Sequence, residues 1–169
     1  IDDKLIIILD FEKIVSEINP ESGLKVSDVA HMRGRARNEA PILIAEDSAL
    51  LSKMIVNCLE QAGYDNLLTT ANGQECWDKL CEYKQEGRID DKVACVITDI
   101  EMPQMDGHHL TKLIKTDDEL KHVPVVIFSS LVNDEMRRKG EQLGADAQLS
   151  KPEIGQLVEA IDGLVNAGY

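Results

Sequence analysis

The chain from Pro41 onward alternates short apolar runs with longer segments in which apolar residues recur every three or four positions. Apolar runs of this length, flanked by polar or turn residues, are typical of buried strands, and the longer period is typical of amphipathic helices. Leu51, Ile55 and Cys58 show the helical spacing, and Gly63 is expected to close that helix. The predicted strands are ILIA, NLLTT, VACVIT, PVVIFSS and AQLS. Five β-α units in succession predict an α/β fold, with a doubly wound five-stranded parallel sheet covered by helices on both faces.

The segment before Pro41 has a different pattern. Residues 5–9 (LIIIL) are apolar on both faces, as in a strand covered from both sides, and a short helix-like stretch follows. Residues 20–40 are polar and weakly periodic, which predicts a linker. The basic run HMRGRAR in this linker is expected to be solvated, with docking to an acidic partner as the alternative. The sequence therefore divides into a strand-helix remnant (1–19), a linker (20–40) and an α/β domain (41–169).

Composition narrows the possible partners. The formal net charge of −13 would repel phosphate backbones and anionic lipid, so neither nucleic acid nor a membrane surface is expected as a direct partner. No apolar run has the length of a membrane span. The four cysteines lack CxxC spacing, which favours reduced thiols and a cytoplasmic location.

Polar side chains follow the predicted strands at their carboxyl ends. Glu46 and Asp47 come after the first strand, and Asp99 comes after the third. Ser129 lies at the end of the fourth strand, and Lys151 follows the fifth. Each residue alone would be unremarkable on a protein surface, but in a doubly wound sheet the carboxyl ends meet at one edge, where ligands bind. We therefore expect these five side chains to converge.

Such a cluster has a chemical interpretation. Three neighbouring carboxylates repel one another unless a cation is present, and an all-oxygen site with room for water suits Mg²⁺. With its charge screened, Asp99 can act as a nucleophile toward phosphorus and become an aspartyl phosphate. The ammonium group of Lys151 would then stabilise the phosphoryl oxygens, and Ser129 would supply a hydrogen bond.

The motifs AEDS, VITDIEMPQMDG, PVVIFSS and LSKP resemble, in order, the four signatures of response-regulator receiver domains across residues 41–169. The resemblance implies a flavodoxin-like fold with Asp99 as phosphoacceptor. It also implies Asp47 as the principal acidic Mg²⁺ ligand, Glu46 as its neighbour acting through water, and the backbone carbonyl of Glu101 as a further ligand.

The same resemblance assigns the remaining site residues. Ser129 would be the switch hydroxyl and Lys151 the phosphoryl contact, with a cis bond between Lys151 and Pro152. Two positions depart from the family pattern. Gln148 stands where many receivers carry an aromatic switch residue, and Glu153 stands where phenylalanine is frequent.

A narrower resemblance concerns the CheV family of chemotaxis coupling proteins, in which a CheW-like scaffold domain precedes the receiver. AEDSALL, DIEMPQMDGHHLTKLIK and GADAQLSKPEIGQLV carry it, and KLIIILDFEKIVSEINP resembles the end of the scaffold domain. It implies a CheA-like histidine kinase as phosphodonor and attachment to membrane chemoreceptor arrays through the scaffold.

Two alternatives stay open at this point. A haloacid-dehalogenase-like phosphatase also uses an aspartate nucleophile, Mg²⁺ and a lysine, but it would need an aspartate where Glu101 stands and an acidic pair downstream of the lysine. A stand-alone diffusible receiver would leave the apolar residues 5–9 without a role.

Overall fold

The computed structural model describes residues 34–151 and 153–166. The predicted strand at residues 5–9 and Pro152 lie outside the described residues. Five strands and six helices alternate along the described chain, with one extra helix between the second and third β-α units. The strands are β1 Ile42–Ala45, β2 Leu67–Thr70, β3 Cys95–Thr98, β4 Val125–Ser129 and β5 Ala147–Ser150. The helices are α1 Ala49–Gln61, α2 Gly73–Gln85, α3 Ile89–Lys92, α4 Gly107–Thr116, α5 Asp134–Leu143 and α6 Ile154–Asn166.

All five strands pair in parallel in the order β2-β1-β3-β4-β5. The predicted doubly wound five-stranded sheet is confirmed, and the strand order changes direction between β1 and β3. The sequence did not predict α3, because this four-residue helix contains a single buried apolar residue, Ile89, and is too short to show a period. No helix in the described ranges is long and apolar enough to cross a membrane.

The two faces of the sheet pack against separate hydrophobic clusters. Ile42 and Ile44 point into a cluster formed with α1 and α6, whereas Leu43 and Ala45 point into a cluster formed with α2 and α4. Because successive strand residues face opposite sides, both sets must be apolar, which explains the unbroken apolar runs in the sequence. The polar residues that follow the strands are therefore held at the edge of a sheet that is buried on both faces.

A glycine fixes the loop that follows β3. Gly107 is the first residue of α4, and a Cβ atom there would lie 1.9 Å from the carbonyl oxygen of Asp99. The Gly107 amide donates a hydrogen bond to the carbonyl of Ile100 at 2.9 Å. This close approach turns the chain back immediately after Asp99, and it is possible only without a side chain.

We expect Gly107→Ala to destabilise the protein by about 2 to 3 kcal/mol, because the added methyl group overlaps a backbone atom that cannot move aside without breaking the β3–α4 turn. Urea unfolding measures the change. Gly163→Ala is the matched control, since Gly163 lies in α6 with no atom within 4 Å of an added Cβ. That substitution should instead raise stability by roughly 0.5 to 1 kcal/mol through helix propensity. Equal effects of the two substitutions would show that the β3–α4 turn tolerates a side chain.

Candidate functional site

Three carboxylates meet where the strand order of the sheet reverses. Glu46 and Asp47 follow β1, and Asp99 follows β3, the neighbouring strand. One oxygen of each lies within 4.8 Å of the others, and no other group of three or more possible metal ligands occurs among residues 34–151 and 153–166. Glu46 and Asp99 are buried, whereas Asp47 is exposed to solvent. The convergence of the three acids that the sequence predicts is therefore observed.

Lys151 lies against the two buried acids. Its Nζ atom donates a hydrogen bond to Oδ2 of Asp99 at 2.6 Å and lies 2.8 Å from Oε2 of Glu46. Only 3% of Lys151, 3% of Glu46 and 6% of Asp99 is exposed. Buried charges are costly unless paired, so this ammonium group is what permits two carboxylates to be buried side by side.

The burial of Glu46 and Lys151, together with their contact, shifts the pKa of both side chains. Burial raises the pKa of Glu46, and the contacts with Lys151 offset that rise only in part. Burial acts to lower the pKa of Lys151, but the hydrogen bond to Asp99 and the contact with Glu46 outweigh it, so this pKa stands above its usual value. The contacts with Asp99 and Glu46 therefore favour the charged form of Lys151.

The oxygens of the acids are held by the backbone but keep room for a ligand. The Ile100 amide donates to Oδ1 of Asp99 at 2.6 Å, and the Ser48 amide donates to Oε1 of Glu46 at 3.1 Å. Oε2 of Glu46 touches the Lys151 ammonium group but accepts no hydrogen bond of good geometry. A buried oxygen of this kind, beside the exposed Asp47 carboxylate, fits a hard divalent cation such as Mg²⁺.

Ser129 is the last residue of β4 and is almost completely buried. Its carbonyl accepts a hydrogen bond from the Lys151 amide at 3.2 Å, which places the two residues side by side at the carboxyl edge of the sheet. Its Oγ accepts a hydrogen bond from the Leu131 amide at 3.2 Å. The hydroxyl group is thus oriented by the loop leading to α5, and its own proton is available to donate.

Glu101 lies on the rim of a cleft beside the acidic cluster. The cleft has a volume of about 550 Å³, and Asp47, Met102, Leu131 and Lys139 also line it. The exposed Asp47 carboxylate therefore faces an open approach from solvent. The roles of the Glu101 carbonyl and of a cis bond before Pro152 stay predictions.

The two positions that depart from the family pattern have defined contacts. Nε2 of Gln148 donates to the carbonyl of Arg137 in α5 at 2.8 Å, and its Oε1 lies against Gly140, where a Cβ atom would come within 2.1 Å of it. Glu153 accepts a hydrogen bond from the Ser150 amide through Oε2 at 3.3 Å, and its carbonyl accepts from Leu157 at the start of α6. Glu153 therefore braces the turn that carries Lys151, a role that the sequence pattern did not indicate.

Comparison with known proteins agrees with this geometry. The family model described as response regulator receiver domain matches residues 42–162. The chain belongs to this family. Receivers are phosphoacceptor signalling domains that generally bind Mg²⁺ at an acidic pocket, and the chain has an acidic group at Glu46, Asp47 and Asp99.

The chain is also similar to individual chemotaxis proteins and to a solved structure. The chain is 33% identical over 162 residues to the chemotaxis protein CheV2 of Helicobacter pylori, covering 95% of this chain and 50% of that protein. It is 27% identical over 166 residues to CheV3 of the same organism, covering 97% of this chain and 52% of that protein. The structure of the chemotaxis protein CheY4 of Vibrio cholerae superposes with a TM-score of 0.63 at 26% identity, covering 75% of this chain and 99% of that one. The chain thus spans about half the length of the CheV relatives.

Proposed function

We propose that this receiver accepts a phosphoryl group on Asp99 in a Mg²⁺-dependent reaction and thereby regulates chemotaxis signalling. The observation that carries the proposal is the contact of the Lys151 ammonium group with Asp99 and Glu46 beside the exposed carboxylate of Asp47. A lysine in contact with two buried acids places a positive charge where phosphoryl oxygens would arrive.

Glu46, Asp47 and Asp99 would hold the metal ion, together with the carbonyl of Glu101. When bound, Mg²⁺ would screen the three carboxylates and neutralise charge on the phosphoryl oxygens. The protein contributes the orientation of the nucleophile, since the Ile100 amide and the Lys151 ammonium group hold the two oxygens of Asp99. Low exposure of Asp99 also restricts the access of water to the acyl phosphate.

The transfer step is a displacement at phosphorus. A carboxylate oxygen of Asp99 forms the new P–O bond while the P–N bond to the donor imidazole breaks, and the bonding electrons leave with the imidazole nitrogen. Lys151 donates hydrogen bonds to the transferred group, and Ser129 adds a hydrogen bond from its hydroxyl. Hydrolysis of the aspartyl phosphate by water later restores Asp99.

The chemotaxis assignment is supported by the CheV relatives. Their alignments leave at most 5% of this chain uncovered, although 41 residues precede Ile42, so the similarity must extend into the segment upstream of the receiver. That extent favours a CheV-type protein, with a CheW-like domain ahead of the receiver, over a stand-alone diffusible receiver. In such a protein the phosphodonor is a CheA-like histidine kinase. Phosphorylation would modulate how the scaffold couples chemoreceptors to that kinase, at cytoplasmic receptor arrays.

Transfer from a kinase tests this function. A chemotaxis histidine kinase, autophosphorylated with radiolabelled ATP and freed of nucleotide, is mixed with this chain and Mg²⁺. We expect label to leave the kinase and appear on this chain, and to stay on the kinase when chelator removes Mg²⁺. Label that remains on the kinase in the presence of Mg²⁺, while acetyl phosphate still modifies the chain, would reject the kinase as donor but retain the receiver chemistry.

We expect the switch to depend on Ser129 rather than on Gln148. Charge-assisted hydrogen bonds contribute roughly 1.5 to 3 kcal/mol, so Ser129→Ala should weaken the binding of beryllofluoride, which stands in for the phosphoryl group on Asp99, by about tenfold or more. The side chain of Gln148 bonds to α5 and lacks the apolar surface of an aromatic switch residue. Gln148→Ala should therefore cost less than about threefold in affinity.

Fluorine NMR titration measures both affinities. Gln148→Ala also serves as the control, because it changes a side chain of β5 that bonds to α5 rather than to the acids. Equal losses of affinity in the two variants would make the glutamine part of the switch and contradict this description of the output path.

A further inference from the structure

Residues 34–40, the end of the predicted linker, lie against the receiver and are called the strap below. The Asn38 amide donates to the carbonyl of Gly63 at 2.8 Å, and Asn38 forms a parallel bridge with Tyr64. The side chain of Asn66 donates to the carbonyl of Glu39 at 3.2 Å. The strap and the turn that leads into β2 therefore continue the parallel pairing of β1 and β2 beyond the amino ends of both strands.

The path of the strap depends on a glycine. Gly63 follows α1 with φ of +101°, and an added Cβ atom would lie 2.8 Å from the carbonyl oxygen of Ala36. The same turn satisfies two carbonyls at the end of α1, since Gly63 donates to Glu60 and Tyr64 donates to Leu59. One residue thus both ends the helix and leaves space for the strap to cross it.

Side chains fasten the strap to α6. Arg35 donates a hydrogen bond to Oδ2 of Asp162 at 2.7 Å, and the hydroxyl of Tyr64 donates to Oδ1 of the same carboxylate at 2.6 Å. Tyr64 is 1% exposed. Burial and the hydrogen bond to Asp162 raise the pKa of Tyr64 above its usual value, so the hydroxyl stays a donor. Asp162 therefore joins three parts of the protein that are far apart in sequence.

The contacts of the strap and the phosphorylation site lie at opposite edges of the sheet. Gly63, Tyr64 and Asn66 precede β2, so they lie at the amino edge of the parallel sheet. The phosphorylation site lies at the carboxyl edge, and a four-residue strand spans about 13 Å. Asp99 and Ser129 lie at that edge, whereas the hydrogen bonds of Asp162 go to Arg35 and Tyr64.

We propose that Tyr64 and Asp162 form a docking surface for the strap, which fixes where the chain upstream of residue 34 enters the receiver, independently of phosphorylation. Arg35, one of the described residues of the basic run, has an acidic partner within the chain in Asp162. Phosphorylation would then be signalled through other surfaces of the receiver and not through a displacement of the linker. This inference goes beyond the proposed function; the docking of the strap stands without it, and only the independence from phosphorylation rests on it.

Limited trypsin digestion of the whole chain tests the docking, because trypsin cleaves after Arg35 and Arg37 and the rate follows the fraction of open strap. Asp162→Asn removes the charge that Arg35 contacts, and Tyr64→Phe removes the second hydrogen bond. We expect cleavage after Arg35 and Arg37 to accelerate roughly fivefold or more in Asp162→Asn, and to a smaller extent in Tyr64→Phe. Cleavage after Lys53, inside α1, should stay unchanged because the domain itself remains folded.

Glu159→Gln is the matched control, since it makes the same change in charge on α6 at an exposed position, one turn before Asp162. It should leave all three cleavage rates as in the natural sequence. Equal rates after Arg35 in the natural sequence and in Asp162→Asn would overturn the docking surface.

The second part of the inference is tested by adding Mg²⁺ and beryllofluoride, with binding followed by fluorine NMR in the same sample. We expect the rates after Arg35 and Arg37 to change by less than about twofold. A larger change would show that the strap responds to the phosphorylation site and would overturn its independence. Absence of beryllofluoride binding would count against the proposed function instead, while the comparison of Asp162→Asn with Glu159→Gln would still decide whether the strap is docked.

Discussion

Asp99→Asn is expected to abolish phosphorylation by acetyl phosphate and by the kinase, because the amide keeps the shape of the side chain but is not a nucleophile toward phosphorus. The natural sequence should gain one phosphoryl group per chain in the presence of Mg²⁺ and none with chelator. Intact mass measurement distinguishes these species directly.

The matched control for this loss is Asp106→Asn. Asp106 is an exposed acid that caps α4 by accepting a hydrogen bond from the His109 amide at 2.8 Å, and asparagine can cap in the same way. This variant should be labelled like the natural sequence. Stoichiometric labelling of Asp99→Asn would move the nucleophile to another residue.

Continuous release of phosphate from a generic phosphomonoester would favour the phosphatase alternative, since a receiver is modified once and hydrolyses slowly.

Lys151→Met is expected to lower the free energy of unfolding by about 3 to 5 kcal/mol in the absence of Mg²⁺, because it leaves the buried acids Glu46 and Asp99 without a counter-charge. Urea unfolding measures the loss. Addition of Mg²⁺ should restore part of the stability, since a cation held by the same acids compensates the missing ammonium group.

Lys79→Met provides the comparison, because Lys79 pairs with Glu82 at 2.7 Å on the surface of α2. Solvent screens that pair, so its loss should change stability little. Equal small effects of the two substitutions would mean that the buried acids are already neutral without Lys151. The account of the site as a balanced charge cluster would then be wrong.

The fold was predictable from sequence because both faces of the sheet are buried. Ile42 and Leu43 face opposite clusters, and this requirement produces apolar runs that are hard to mistake for other elements. The position of the acids followed from the same argument, since Glu46 and Asp99 end neighbouring parallel strands. Topology thus predicted which residues meet, without any knowledge of side-chain contacts.

Contacts between distant polar residues could not be predicted in this way. Arg35 and Asp162 are 127 positions apart, and the helical period around Asp162 marks only the apolar face of α6, so the docked strap has no signature in the sequence. The place of Gln148 against Gly140 depends on the close packing of α5 on β5, which single residue types do not reveal. The hydrogen bond that the Ser150 amide donates to Glu153 is a local turn contact that several polar residue types could make.

The position of the phosphoryl group is the most direct test of the central claim. The chain is incubated with acetyl phosphate and Mg²⁺, the acyl phosphate is reduced with borohydride so that the modified aspartate becomes homoserine, and peptide sequencing by mass spectrometry locates that residue. Our account predicts homoserine at position 99 alone, and none when Mg²⁺ is withheld. Homoserine at position 47, or undiminished modification without a divalent cation, would contradict it.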